Sequence, residues 1–136
     1  QKRCLQLLAK LCDAGYSVSL ETSGAISIEG VDQRVSRVLD IKTPGSAEVD
    51  RNLWDNLPLL TPRDQVKFVI CSRADFDWAK DVVAEHRLHE VCDVLFSPSA
   101  SQLPARELAD WIVAERVPVR FQMQLHKALW GEEQGK

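Results

Sequence analysis

The chain has 136 residues, 45% hydrophobic and 27% charged, with a formal net charge of -3, which suits one globular domain with its own core and shows no basic excess for nucleic acid. No apolar run approaches the ~20 residues that span a bilayer, and no secretion signal opens the sequence, so a cytoplasmic protein without a membrane partner is expected. Cys4, Cys12, Cys71 and Cys92 form no CxxC or CxxxCxxC cluster and read as reduced structural thiols.

Leu5, Leu8, Leu11 and Cys12 recur at helical spacing and Gly15 supplies a left-handed stop, which predicts a helix over 2–14. Strand formers then gather over 16–20 and again over 35–41. The segment 43–63 breaks the rhythm with Pro44, Gly45, Pro58 and Pro62, and reads as a loop insertion with one short helix at Arg51-Asn52-Leu53-Trp54. A third strand is expected over 65–71, then a helix capped by Ser72 or Asp75 and buried through Phe76, Ala79, Val82 and Val83. A fourth strand over 91–96 leads through Ser97-Pro98-Ser99-Ala100-Ser101 to a helix over 104–115, with Leu108, Trp111 and Ile112 on its apolar face. A fifth strand over 117–123 precedes the tail. Strands alternating with helices imply one α/β domain over 1–136 with mostly parallel pairing.

In such sheets ligands sit beyond the carboxyl ends of the strands, so the residues just after each strand are the ones to read. Glu21-Thr22-Ser23-Gly24 offers a carboxylate for the N–H groups of a planar heterocycle, a hydroxyl, and a backbone open to close approach; it also reads as an ordinary Thr-Ser-Gly turn. Alternation puts Asp40 and Lys42 on one face of a strand end, where they grip one polar ligand or form a surface ion pair. His86-x-x-His89 reads as a solvated helix end rather than a metal pair, because no third ligand is near. Lys67 lies within a strand, faces either side, and takes no role.

The order and spacing of the first two motifs, with Asp40-Ile41-Lys42-Thr43-Pro44-Gly45-Ser46, Gln65-Val66-Lys67-Phe68-Val69 and Leu125-His126-Lys127, resemble the 7-carboxy-7-deazaguanine synthase family of radical S-adenosylmethionine (SAM) enzymes. The resemblance covers the chain from Gln1 to His126. It implies a modified partial (β/α) barrel with SAM, a [4Fe-4S] cluster and Mg2+, acting as a carbon–nitrogen lyase in queuosine biosynthesis. The implied reaction converts 6-carboxy-5,6,7,8-tetrahydropterin to 7-carboxy-7-deazaguanine with loss of ammonia. It further implies that Glu21 and His126 hold the pterin substrate, with Glu21 on its N–H groups and His126 on its carboxylate. Ser23, Asp40, Ile41 and Lys42 would then cradle SAM, and Ser97, Pro98, Ser99 and Ala100 would line its adenine and ribose. A homodimer and a flavodoxin-like reductant belong to the same implication.

The family holds its cluster with a CxxxCxxC loop and the amino group of SAM with a GGEP-like turn, and neither word occurs here. The expectation is a C-terminal portion of a barrel that begins after the GGEP turn, has an open edge at its first strand, and does not run the reaction alone. Another radical SAM enzyme, such as a glycyl-radical activase, and a non-catalytic α/β nucleotide-binding module are the competing readings. The tail over 130–136 departs from the shorter family tails, which leaves its contact with substrate open.

Overall fold

The computed structural model describes residues 2–123 together with Leu129 and Gly131. Helix α1 spans Lys2–Asp13 and ends in a left-handed turn, with Gly15 at a φ of 85° and its N–H on the carbonyl of Cys12. The N–H of Tyr16 is also taken by α1, through the carbonyl of Leu11. The first strand therefore starts later than the sequence suggests: β1 is Ser19–Thr22, and Glu21 and Thr22 belong to the strand instead of following it.

Strands β2 (Ser36–Ile41) and β3 (Gln65–Ile70) lie where the alternation puts them. Between them the chain folds into three 3-10 turns, Pro44–Ser46, Val49–Arg51 and Trp54–Leu59, with Asn52 and Leu53 joining the second to the third. Helix α2 spans Arg73–Glu85, and the Ser72 side chain caps it by accepting the N–H of Asp75. Leu88–Val91 closes into a one-turn helix, α3, so that β4 slides to Asp93–Pro98 and takes Ser97 and Pro98 into the ladder. Helix α4 spans Ala105–Glu115. Its last turn takes the N–H of Val117, and Pro118 has none to give, which shortens β5 to Arg120–Phe121.

The five strands form one parallel sheet in the order β1-β2-β3-β4-β5. Parallel neighbours in sequential order need crossovers of one hand, and right-handed crossovers put every helix on the same face, as in a (β/α) barrel. The buried residues agree: Leu8 of α1, Phe76 and Val83 of α2, Leu88 of α3 and Leu108 of α4 all join one core with Leu39, Phe68 and Phe96 of the sheet. Phe68, Phe76 and Phe96 are fully buried and meet edge-on at 5.4 and 5.9 Å between ring centres. Truncating any of these rings to Ala costs about 3–5 kcal/mol. No helix among the described residues is long and apolar enough to cross a membrane.

Candidate functional site

The other face of the sheet is the unusual one. Parallel sheets are normally covered on both sides, yet β2 and β3 each alternate between fully buried and half-buried residues. Register identifies the residues of that face, which run from exposed Glu21 on β1 through the half-buried residues of β2 and β3 to buried Leu95 and Ser97 on β4. Glu21 stands beside Val38 and Gln65, Asp40 beside Lys67 and Leu95, and Val69 beside Ser97. A face that carries two carboxylates, an ammonium, an amide and a hydroxyl among a few aliphatic side chains is not built to be sealed by an apolar layer.

At the carboxyl end of this face a recess of about 180 Å3 is lined by Glu21, Thr22, Ser23, Val38, Asp40 and Lys67. Lys42 reaches back along β2, its Nζ donating to Oδ2 of Asp40 at 2.6 Å. The other oxygen, Oδ1 of Asp40, is buried and accepts no hydrogen bond among the described residues. A buried acceptor without a donor costs about 1–3 kcal/mol, and a ligand hydroxyl or N–H would remove that cost.

The backbone around the recess is held from outside the sheet. Gly24 turns the chain after β1 at a φ of 73°, a left-handed conformation that suits glycine. Its carbonyl accepts from Leu53 N–H and from the side chain of Asn56, which also donates to the carbonyl of Ile26 and accepts the N–H of Ile28. Asn56 is fully buried. Asn52 grips the end of β2 in the same manner, accepting the N–H of Lys42 and donating to its carbonyl, each at 2.9 Å. The turns after β2 thus strap down both strand ends that carry the site.

Asp75 performs a matching task for the next loop. Buried at the start of α2, it accepts the N–H of Gly45 at 2.8 Å and of Cys71 at 3.1 Å. A Cβ on Gly45 would lie 2.5 Å from Oδ2 of Asp75, a side chain already fixed by two hydrogen bonds, so only glycine fits. Asn52, Asn56 and Asp75 leave no periodic trace in the sequence, because each acts on backbone brought near by the fold. Lys67 did leave one. Val66, Phe68 and Ile70 form the buried set of β3, which turns Lys67 to the opposite face once that face is known to be open.

The amino end of the sheet is different in kind. A broad recess of about 700 Å3 lies there, lined among others by Arg34, Arg37, Leu59 and Arg63. Two of its three arginines, Arg34 and Arg37, are already matched by carboxylates. Arg37 is buried and donates to both oxygens of Asp64 and to the carbonyl of Leu59, while Thr61 donates to Asp64 through its N–H and hydroxyl. Burial works to raise the Asp64 carboxyl, and the hydrogen bonds from Arg37 and Thr61 outweigh it, holding it below the ordinary carboxylate value. Arg34 is bonded to Asp13 and Asp32, and holds the Asp32 carboxyl down to about 2.

The structure therefore brings Glu21, Ser23 and Asp40 together around one recess and bonds Lys42 to Asp40. Ile41 faces the core, 3% exposed, so only its backbone can meet a ligand. Ser97 is fully buried on β4 with Gln122 at 3.5 Å; Pro98 follows it, and Ser99 and Ala100 begin the loop to α4. These four lie at the same end of the sheet, two strands from Asp40. His126 lies outside the described residues. His86 stacks on Trp54 at 5.5 Å, and His89 sits on α3, so the two histidines do not share a helix.

The cysteines do not fit an iron–sulfur cluster. Cys4 and Cys12 lie on α1, Cys71 follows β3 and Cys92 precedes β4, at opposite ends of the sheet. Burial pushes the Cys71 thiol up and the Cys92 thiol up to about 11, whereas a cluster needs thiolates. Among the described residues no three His, Cys, Asp or Glu side chains come together as a metal site.

Comparison with known proteins bears out the resemblance read from the strand ends. The chain is 40% identical over 130 residues to the 7-carboxy-7-deazaguanine synthase of Chlorobaculum tepidum, a match covering 93% of the chain and 59% of that protein. It is 32% identical over 146 aligned positions to the synthase of the same name from Koribacter versatilis, covering 98% and 65% respectively. A third, from Leptospira interrogans, is 39% identical over 121 residues, covering 85% and 50%. The chain spans about half to two thirds of the length of these curated relatives. No family model matches it.

Proposed function

We propose, from the premise that this chain is kin to the 7-carboxy-7-deazaguanine synthases, that the sheet face opposite helices α1–α4 is the SAM and pterin wall of such an enzyme. The reaction is the radical SAM conversion of 6-carboxy-5,6,7,8-tetrahydropterin to 7-carboxy-7-deazaguanine with loss of ammonia. The observation that carries this reading is the strand-end recess, where Oδ1 of Asp40 is buried without a donor beside Glu21 and Ser23. When bound, SAM would supply the radical chemistry, with Ser23, Asp40, Lys42 and the 97–100 segment the residues that would hold it.

The chain's own residues bind and orient. Glu21 has no partner among the described residues, and its carboxylate accepts two N–H bonds from the donor edge of a pterin. Asp40 accepts from a hydroxyl or the amino group of SAM through the oxygen that Lys42 leaves free, and Ser23 adjusts to either ligand. Ser99 and the backbone of Ser97, Pro98 and Ala100 take the adenosine side. A recess of 180 Å3 is smaller than the ~300–1,000 Å3 of a drug-sized ligand site, so these strands form one wall and other groups complete the enclosure.

The scattered cysteines support reading the cluster ligands as groups other than those described, and Mg2+ and a reductant belong to the same reading. By this reading the 136 residues alone bind ligand without cleaving SAM. Calorimetric titration of the full-length protein with SAM tests the site: Asp40→Asn and Glu21→Gln each weaken a ligand about tenfold, the former SAM and the latter 6-carboxypterin. Iron content and 5'-deoxyadenosine release after anaerobic reconstitution of the 136-residue chain test the division of labour. A stoichiometric cluster with turnover would overturn it.

A further inference from the structure

We propose that Lys67 is a ligand-binding residue of the strand-end recess whose ammonium holds a carboxylate of the bound molecule. The assignment deepens the reading above and rests on it. Register sets Lys67 beside Asp40 on the face opposite helices α1–α4, and it lines the same recess as Glu21. Among the described residues it has neither an ion-pair nor a hydrogen-bond partner, whereas the neighbouring Lys42 is bonded to Asp40.

Charge matching defines the ligand. The recess brings together two carboxylates, Glu21 and Asp40, and the ammonium of Lys67, while the ammonium of Lys42 is bonded to Asp40. Asp40 and Lys42 neutralise each other, which leaves one acidic and one basic group, Glu21 and Lys67, facing one space without pairing. The complement of that arrangement is a molecule with a donor edge at one side and a carboxylate at the other. An ammonium on a flexible stem suits the carboxylate, since it acts as a point charge and adapts to distance. Leu95, buried on the far side of Lys67 in register, excludes water from one flank and strengthens the contact.

Both ligands of the proposed reaction carry a carboxylate, SAM on its methionine and the pterin at its ring, so the test uses matched pairs of probes. Full-length protein is titrated calorimetrically with SAM and with 5'-methylthioadenosine, which lacks the amino-carboxylate. It is also titrated with 6-carboxypterin and with pterin, which lacks the carboxyl. Lys67→Met should weaken the carboxylated member of one pair by about tenfold to a hundredfold and leave its partner within about twofold. Lys67→Arg should retain most of the binding. Loss confined to 6-carboxypterin assigns the substrate carboxylate, and loss confined to SAM assigns that of the methionine.

Equal loss on both members of each pair, or no loss on any probe, overturns the role of Lys67 while leaving the site itself in place. Failure of the unaltered protein to bind all four probes would instead remove the site, and this assignment with it. Should the Met variant not fold, Lys67→Gln and Lys67→Arg read the same difference.

Discussion

Strand β2 carries two ion pairs three residues apart, and they could hardly be more different. At the amino end Arg37 and Asp64 are buried, and each carboxylate oxygen meets donors. At the carboxyl end Asp40 and Lys42 are about 30% exposed, and one buried oxygen of Asp40 meets no donor among the described residues. The first pair is closed to any further partner and belongs to the fold. The second has valence left over and sits beside two more uncommitted charges, Glu21 and Lys67. Saturation, more than recess size, separates structure from site here, since the larger recess lies at the closed pair.

The sharpest break of this contrast is Asp64→Ala, which strands the buried Arg37 guanidinium. Breaking one side of a buried pair costs about 3–5 kcal/mol, so the urea midpoint should fall steeply while the folded fraction keeps its ligand affinity. The pair also predicts acid sensitivity. Asp64 titrates lower when folded than unfolded, so its contribution is fully present above the unfolded carboxylate pKa of ~3.9 and lost as pH falls through the lower folded value. Urea midpoints measured from pH 6 down to pH 3 should fall more steeply for the parent than for Asp64→Asn, which cannot titrate.

Asn56→Ala comes next. It removes three hydrogen bonds that fix the backbone over 24–28 and leaves buried groups without partners, at a cost of about 2 kcal/mol. Amide exchange should accelerate around Gly24 and Ile28, and ligand affinity should fall with it, because this asparagine ties a stability element to the site. Asp40→Asn reverses the Asp64 pattern: its urea midpoint moves by less than about 1 kcal/mol-equivalent, while SAM affinity drops about tenfold. At the bottom of the scale, Arg34→Ala removes an exposed pair with Asp13 and Asp32 and should leave both readouts unchanged.

Much of this organisation is legible in the sequence, for a physical reason. Alternation in β2 and β3 follows directly from a sheet with one sealed face, and Phe76, Ala79, Val82 and Val83 mark the sealed side of α2 at helical spacing. Glu21-Thr22-Ser23-Gly24 is readable as a strand end because its residues are contiguous, although helix α1 consumes the N–H groups of Gly15 and Tyr16 and pushes β1 along the chain. Asn52 and Asn56 are not readable in this way. Their partners lie 10 to 32 residues away and are backbone groups, so no side-chain pattern records them. Lys67 needed one further fact, that the face opposite Phe68 is left open by helices that all pack on one side.

The central claim is that ligand binds at the carboxyl end of the sheet, on the face opposite helices α1–α4. Backbone amide shifts of full-length protein titrated with SAM test it most directly. The account predicts perturbations grouped on 21–24, 40–42 and Lys67, with Arg34, Arg37 and Arg63 unmoved. Perturbations centred on those three arginines at the amino end, or none at either end, would contradict it.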